Sequence, residues 1–181
     1  IGCPGTGLKV KECMSPKGQA AIYPGSFDPV TYGHLDVIKR ARRIFSHVIV
    51  AVANNTSKKA LFAIDERVAL LKQVTSGIKG VVVESFDTLV IEYARKKRVN
   101  VLIRGLRMTS DFEYEFQIAL TNRRLEDNIE TVFLMPSEHH SFVSSSLLKE
   151  VVSLGADISS FVPKEVEAVL KKRLRNVKNF C

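Results

Sequence analysis

From residue 20 onward the chain alternates short, β-branched apolar runs with stretches of helical period, and this alternation restricts the possible folds more than any other feature. The expected strands are AAIYP (20–24), HVIVAVA (47–53), GVVVES (80–85), VNVLIRG (99–105) and ETVFLMP (130–136). Between them the spacing predicts helices near 33–46, 65–76, 88–97 and 111–127; in the first, Val37, Ile38, Ala41, Ile44 and Phe45 make one apolar stripe. Two more helices close the chain. One opens at 144–146 and stops at Gly155, and the other starts at Pro163, a residue suited to a helix's first turn. Strands that each lead into a helix argue for a parallel sheet covered on both faces. The expected fold is α/β, a Rossmann-like, doubly wound, five-stranded parallel sheet. No internal repeat, low-complexity tract or long linker divides it, so one domain is expected over 20–176. Residues 1–19, glycine-rich at their start and without apolar period, read as an extension or remnant, and 177–181 as a short tail.

Composition bears on which partners such a domain takes. The apolar fraction of 45% and charged fraction of 25% are ordinary for a soluble protein. The longest apolar run, 48–53, is far short of a membrane span. The net charge of +8 invites a nucleic-acid reading, but residues 1–19 hold +2 of it and 164–181 hold +4. The body of the chain is close to balanced. Its basic runs, KRARR at 39–43 and RKKR at 95–98, fall late on amphipathic helices, where they complement the dipole and face solvent. Neither a nucleic acid nor a membrane is expected as partner. Cys3, Cys13 and Cys181 all flank the periodic body, which excludes a disulfide-built or zinc-built core and favours the cytoplasm.

In doubly wound sheets, ligands bind beyond the carboxyl ends of the strands, where strand order reverses. The loops that follow the strands are PGSFDP, NNTSKK, RGLR and PSEHHSFVSSS, and each carries groups suited to polyphosphate. Pro24 and Gly25 turn the backbone tightly at a strand end, and the helix opening near Gly33 aims unpaired N–H groups and a positive dipole end at the same space. His34 falls in that first turn, where it can donate to a phosphate oxygen. Taken alone, His34 reads more readily as a cap or packing residue and Lys58 and Lys59 as solvated, while among Ser144, Ser145 and Ser146 one serine can cap a helix and the others, with the exposed N–H groups, hold an anion. Arg104 and Arg107 are harder to explain away, because a strand ending in RGLR sets two guanidinium forks at the crevice.

The sequence lacks GxxxxGK[ST], GxGxxG after the first strand and G-x-S-x-G. A P-loop NTPase, a dinucleotide dehydrogenase and a serine hydrolase are therefore disfavoured, the last despite Ser26.

PGSFDPVTYGH after the first strand, the lysine-bearing loop after the second, RGLR after the fourth and FVSSS before a late helix together resemble the bacterial phosphopantetheine adenylyltransferases. These belong to the nucleotidyltransferase superfamily, which is marked by a (T/H)xGH element and an ISSS-like element. The similarity runs from about residue 20 to about residue 176 and takes in DFEYEFQ and VFLMPS. It implies transfer of the adenylyl group of ATP to 4′-phosphopantetheine with Mg²⁺, giving dephospho-coenzyme A and pyrophosphate. It also implies that Ser26 and Phe27 contact the nucleotide, Ser26 also lying near the acceptor, and that His34 steadies the α-phosphate in the transition state, with Lys58 as a second catalytic group. Lys58, Val90 and Arg104 match the phosphopantetheine site. Gly105, Leu106, Arg107, Glu115, His140, Ser141, Phe142, Val143, Ser144, Ser145 and Ser146 match the ATP site. His140 stands where some relatives carry tryptophan, Ser26 where many carry threonine, and Val143 where isoleucine is usual. The loops offer no carboxylate cluster, so no protein ligand to the metal is assigned; Asp28 could be one, but between Phe27 and Pro29 it reads rather as a partner for loop backbone. Relatives are hexamers, so a homo-oligomer is expected, and coenzyme A is expected as a feedback inhibitor. The alternatives are a relative with another acceptor, such as nicotinamide mononucleotide or glycerol phosphate, and a non-catalytic nucleotide sensor. RGLRMTSDFEYE with FVSSS favours phosphopantetheine, and the retained His34, Lys58 and Arg104 favour an enzyme.

Overall fold

A computed structural model of the chain describes residues 18–54, 60–141 and 145–178. The elements run β1 (Ala20–Gly25), α1 (Tyr32–Ile44), β2 (His47–Ala53), α2 (Ile64–Thr75), β3 (Val81–Phe86), α3 (Val90–Lys97) and β4 (Val101–Gly105). They continue with α4 (Thr109–Leu125), β5 (Glu130–Leu134), α5 (Glu138–Ser141), α6 (Ser145–Ser153) and α7 (Lys164–Lys178). The strands form one sheet, ordered β3-β2-β1-β4-β5, with every pairing parallel. The chain begins at the centre, winds outward through β2 and β3, then crosses back to lay β4 on the other side of β1. Strand order therefore reverses between β1 and β4, and their carboxyl ends flank a crevice.

Alternate residues of the strands serve opposite faces, as the two-residue period requires. On one face Ala21, Tyr23, Val50 and Ile103 pack with Leu35 and Ile38 of α1, Leu71 of α2, Leu148 of α6 and Leu170 of α7. On the other, Ile22, Ala51 and Leu102 pack with Tyr93 and Ala94 of α3. Ile22 and Leu102 are fully buried, each side chain contributing roughly 1.5–3 kcal/mol. The helix α4 also lies on this second face, where Phe112 meets Phe133 of β5 edge-on at 6.1 Å. It covers that face incompletely. Phe112, Phe116 and Leu120, four residues apart on one helix stripe, are 43%, 45% and 49% exposed.

The expected strands and helices are all present, with ends displaced by one or two residues for the most part. The exception is instructive: β5 ends at Leu134, and the stretch expected to be loop before the serines contains the short helix α5. At the far end α7 packs onto the same core through Val166 and Leu170 and runs to Lys178, past the expected limit at 176. No helix among the described residues is long and apolar enough to cross a membrane.

Candidate active site

The crevice between β1 and β4 opens into a cleft of about 430 Å³, within the ordinary range for small-molecule sites. The end of β1 supplies Gly25 and the loop after it Ser26 and Phe27, the start of α1 supplies Thr31, Gly33 and His34, and the end of β4 supplies Arg104 and Gly105, with Arg107 just beyond. From α4 come Asp111, Tyr114 and Glu115, and from the β5 side Pro136 and Ser145. Residues as far apart in sequence as Gly25 and Ser145 thus face one space.

The local chemistry of the first loop places His34. Thr31 is the N-cap of α1, accepting the His34 N–H with Oγ1 at 3.3 Å, while its own N–H donates to His34 Nδ1 at 3.0 Å. A capping box normally uses Glu or Gln at that third position. Here an imidazole does it, and a ring nitrogen that accepts carries no proton, so the neutral ring holds its proton on Nε2. Burial, assisted by the charge of Arg107, pushes the His34 pKa down to about 4. At neutral pH His34 is therefore an uncharged donor with a fixed tautomer. The capping and ligand-binding readings of this residue are compatible, because they use different nitrogens.

Phe27 explains the glycine beside it. Its residue takes φ +47°, and its ring lies so close over Gly25 that a Cβ there would sit 2.9 Å from ring atoms. The ring packs edge-on against both Tyr23, at 5.4 Å, and His34, at 5.0 Å. The residue is only 1% exposed, so its ring steadies His34 at the cleft wall it helps to line.

The two arginines stand at the cleft, but not unpartnered. Arg104 donates from Nε and Nη2 to the two Glu115 oxygens, each at 2.6 Å, and from Nη1 to the Pro24 carbonyl at 3.3 Å. Among the described residues three of its five N–H groups are engaged, and the other two are open to a phosphate. Arg107 reaches Asp111, one turn along, at 3.1 and 3.4 Å. Burial holds the Tyr23 phenol above its ordinary pKa, so it enters the cleft as a protonated hydroxyl.

The other expected residues fare differently. Val90 opens α3 and packs against the second-face core, and it does not line the cleft. Leu106 is also outside the lining; its N–H extends the β4–β5 ladder by donating to Leu134 O. Ser145 lines the cleft, but its hydroxyl donates to the Pro29 carbonyl at 2.9 Å, tying α6 to the β1–α1 loop instead of capping its own helix. Lys58, Phe142, Val143 and Ser144 lie outside the described residues, as do the side chains of His140, Ser141 and Ser146. Asp28 bonds backbone, though of a distant segment: it accepts from Leu61 N, Phe62 N and Lys149 Nζ, each at 2.9 Å. Burial alone would raise its pKa, but those three bonds outweigh it and hold the carboxyl below its ordinary value. Among the described residues no cluster of three metal-ligating side chains occurs, and the cleft carboxylates Glu115 and Asp111 are each committed to an arginine.

Residues 22–151 match the cytidylyltransferase-like family. Over 157 residues the chain is 52% identical to a phosphopantetheine adenylyltransferase of Caldanaerobacter subterraneus subsp. tengcongensis, covering 87% of this chain and 98% of that protein. The chain belongs to the phosphopantetheine adenylyltransferase family. Its fold also resembles a Vibrio parahaemolyticus protein provisionally named a nicotinate-nucleotide adenylyltransferase. There the TM-score is 0.64 and the identity 18%, over 87% of this chain and 94% of the other. At that distance the likeness speaks for the fold alone.

Several members of the site escape a reading of the sequence. Thr31 carries a usable signal, a threonine three residues before a helix-facing side chain, obscured because His34 replaces the usual Glu or Gln. Arg67 breaks the apolar stripe of α2, which could have marked it: it is buried, and its Nη1 donates to Ser26 O at 2.8 Å and Ala53 O at 3.1 Å. Tyr23 reads only as a strand residue, and Asp36, whose carboxylate accepts the Ser137 N–H at 2.6 Å, only as a helix residue.

Proposed function

We propose that this protein transfers the adenylyl group of ATP to 4′-phosphopantetheine, forming dephospho-coenzyme A and pyrophosphate in the cytoplasm. The observation that carries the reading is the cleft itself: a fixed Nε2–H donor on His34, the forks of Arg104 and Arg107, and the start of α1 converge where strand order reverses. Near-complete coverage of a relative of that name at 52% identity selects the acceptor over nicotinamide mononucleotide.

The acceptor is a phosphate monoester with a second pKa of about 6, mostly dianionic at neutral pH, so attack needs no general base. An acceptor oxygen forms the new bond to the α-phosphorus of ATP, and the bond from that phosphorus to the β-phosphate oxygen breaks in line, releasing pyrophosphate with the displaced charge. The difficulty is two anions meeting. Donors placed where charge builds on the α-phosphoryl oxygens relieve it, and His34 Nε2–H and the arginine forks are such donors. Lys58, by its place in the resemblance, adds charge at the acceptor. Since the cleft carboxylates Glu115 and Asp111 are held by arginines, a Mg²⁺ ion would find its ligands chiefly on substrate phosphates, where it would supply charge neutralisation.

The exposed stripe of Phe112, Phe116 and Leu120 supports a homo-oligomer, for which the resemblance suggests a hexamer. Sedimentation of the full chain reads the assembly directly. Coenzyme A shares the pantetheine arm of the acceptor and would compete for the same cleft. The decisive assay supplies ATP, Mg²⁺ and 4′-phosphopantetheine and measures pyrophosphate and dephospho-coenzyme A. Turnover of nicotinamide mononucleotide with none of phosphopantetheine would overturn the assignment.

A further inference from the structure

Asp28 takes no part in the reaction described above, yet it is among the most heavily bonded side chains near the cleft. It is 5% exposed, and its carboxylate collects three donors from two distant places in the chain, the adjacent residues Leu61 and Phe62 and, far along, Lys149. Oδ2 accepts from Leu61 N and from Lys149 Nζ, and Oδ1 from Phe62 N. Leu61 and Phe62 lie between β2 and α2, in the connection that also carries Lys58 in sequence. Lys149 belongs to α6, the helix whose first residue, Ser145, lines the cleft and bonds Pro29 O. Asp28 itself stands two residues after Ser26.

We propose that Asp28 is a positioning residue that locks the β1–α1 loop, the segment entering α2 and helix α6 into one frame, so that the nucleotide side and the acceptor side of the cleft are held in register for in-line attack. The inference rests on the reaction proposed above. The physical case comes from what each tie replaces. The Phe62 N–H is buried and the Leu61 N–H half-buried, so each loses its bond to water and needs an acceptor in the protein, and only a carboxylate can accept both while also pairing a lysine. Phe62, fully buried in the core, keeps those N–H groups from moving to water. A second tie crosses the same gap from the other end: buried Arg67 joins Ser26 O to Ala53 O, the last residue of β2. The connection between β2 and α2 is thus held to the Ser26 loop at both of its ends. Displacing reacting groups by about 1 Å costs on the order of 10²-fold in rate.

The test compares the full-length wild type with Asp28→Asn, Lys149→Met and the double variant. Asparagine keeps the size and one carbonyl oxygen, but its amide group confronts donors. Amide exchange at Leu61 and Phe62 should quicken at least about tenfold in Asp28→Asn, since their acceptor is weakened. In the same variant kcat should fall about 10²-fold while the KM for ATP stays within about threefold. Lys149→Met should lower kcat by a smaller factor, and the double variant should be no slower than Asp28→Asn alone, since one frame cannot be broken twice. Unchanged exchange at Leu61 and Phe62 overturns the proposal, as does a kcat within about twofold of wild type in folded Asp28→Asn, or multiplicative losses in the double variant. If Asp28→Asn does not fold, Lys149→Met decides, and wild-type kcat in it overturns the frame. Exchange is read without any substrate, so a wild type that fails to use phosphopantetheine refutes the proposed reaction and leaves the exchange result to judge Asp28.

Discussion

Replacing His34 with alanine separates the cap that its imidazole makes from the donor role proposed for it in the reaction. Nδ1 accepts the Thr31 N–H at 3.0 Å and completes the cap of α1, while Nε2–H serves the cleft. Loss of a cap of this kind costs about 1 kcal/mol, which lowers Tm by about 2–4 °C in a chain of this length. Loss of one donor aimed at developing phosphoryl charge costs roughly 10²–10³ in kcat, or about 3–4 kcal/mol. A donor whose bond strengthens only as charge builds leaves the ground state nearly untouched, so the Kd for ATP should move by less than about threefold. His34→Gln sharpens the comparison: its carbonyl can accept the Thr31 N–H in the usual manner of a capping box, while its amide still offers a neutral donor. Glutamine should recover the lost Tm and part of kcat, giving the order wild type, glutamine, alanine. Pyrophosphate release at saturating substrates, calorimetric titration with ATP and a thermal melt supply the three readouts. An alanine variant turning over within about threefold of wild type would refute the reasoning, and so would an ATP affinity that weakens as much as kcat falls, the mark of uniform binding.

Glu115→Gln should loosen the bidentate hold on Arg104, now two bonds of 2.6 Å, and raise the KM for phosphopantetheine about tenfold, read by steady-state kinetics; an unchanged KM would show that the pair does not orient Arg104. Gly25→Ala must displace the Phe27 ring, which a Cβ would approach to 2.9 Å, so stability should drop by about 1–3 kcal/mol and kcat should fall with it. A melt and the turnover assay check this, and a neutral result would mean that the ring moves freely. The lowered pKa of His34 also sets a sign for pH. The unfolded chain takes up a proton near pH 6.5 that the folded chain refuses until about pH 4, so stability declines as pH falls through that window, by up to about 2 kcal/mol between pH 7 and 5. His34→Gln should remove that part of the acid sensitivity, which melts at the two pH values would reveal.

What the sequence made legible follows the range of each interaction. Strand and helix order came from periods of two and 3.6 residues, which are local, and the crevice followed because topology fixes where strand order reverses. Arg104 and Gly105 end a strand and Arg107 follows it by two residues, and a strand end is a place as well as a pattern. The partners of those arginines were not foreseeable in the same way. Glu115 lies eleven residues from Arg104 on a helix whose turn toward the cleft depends on how α4 rests on β5. Asp28 and Lys149 are further still, 121 residues apart, and nothing local marks either as half of a buried pair. The helix α5 escaped notice because four residues of it are too few to show a period.

The same geometry alters the account of how two anions are brought together. A reading of the residues alone suggests a cleft rich in positive charge. In the folded chain His34 is neutral, Arg104 is matched by Glu115 and Arg107 by Asp111, so these groups present nearly balanced charge. What they present instead is direction. The forks of Arg104 and Arg107 are held by carboxylates and the imidazole by Thr31 and by the Phe27 ring, so in the proposed reaction none of these donors would have to reorganise to meet charge as it forms. Fixed dipoles of this kind lower a barrier more effectively than mobile charges of the same sign, because the cost of orienting them is met by folding and not during the reaction.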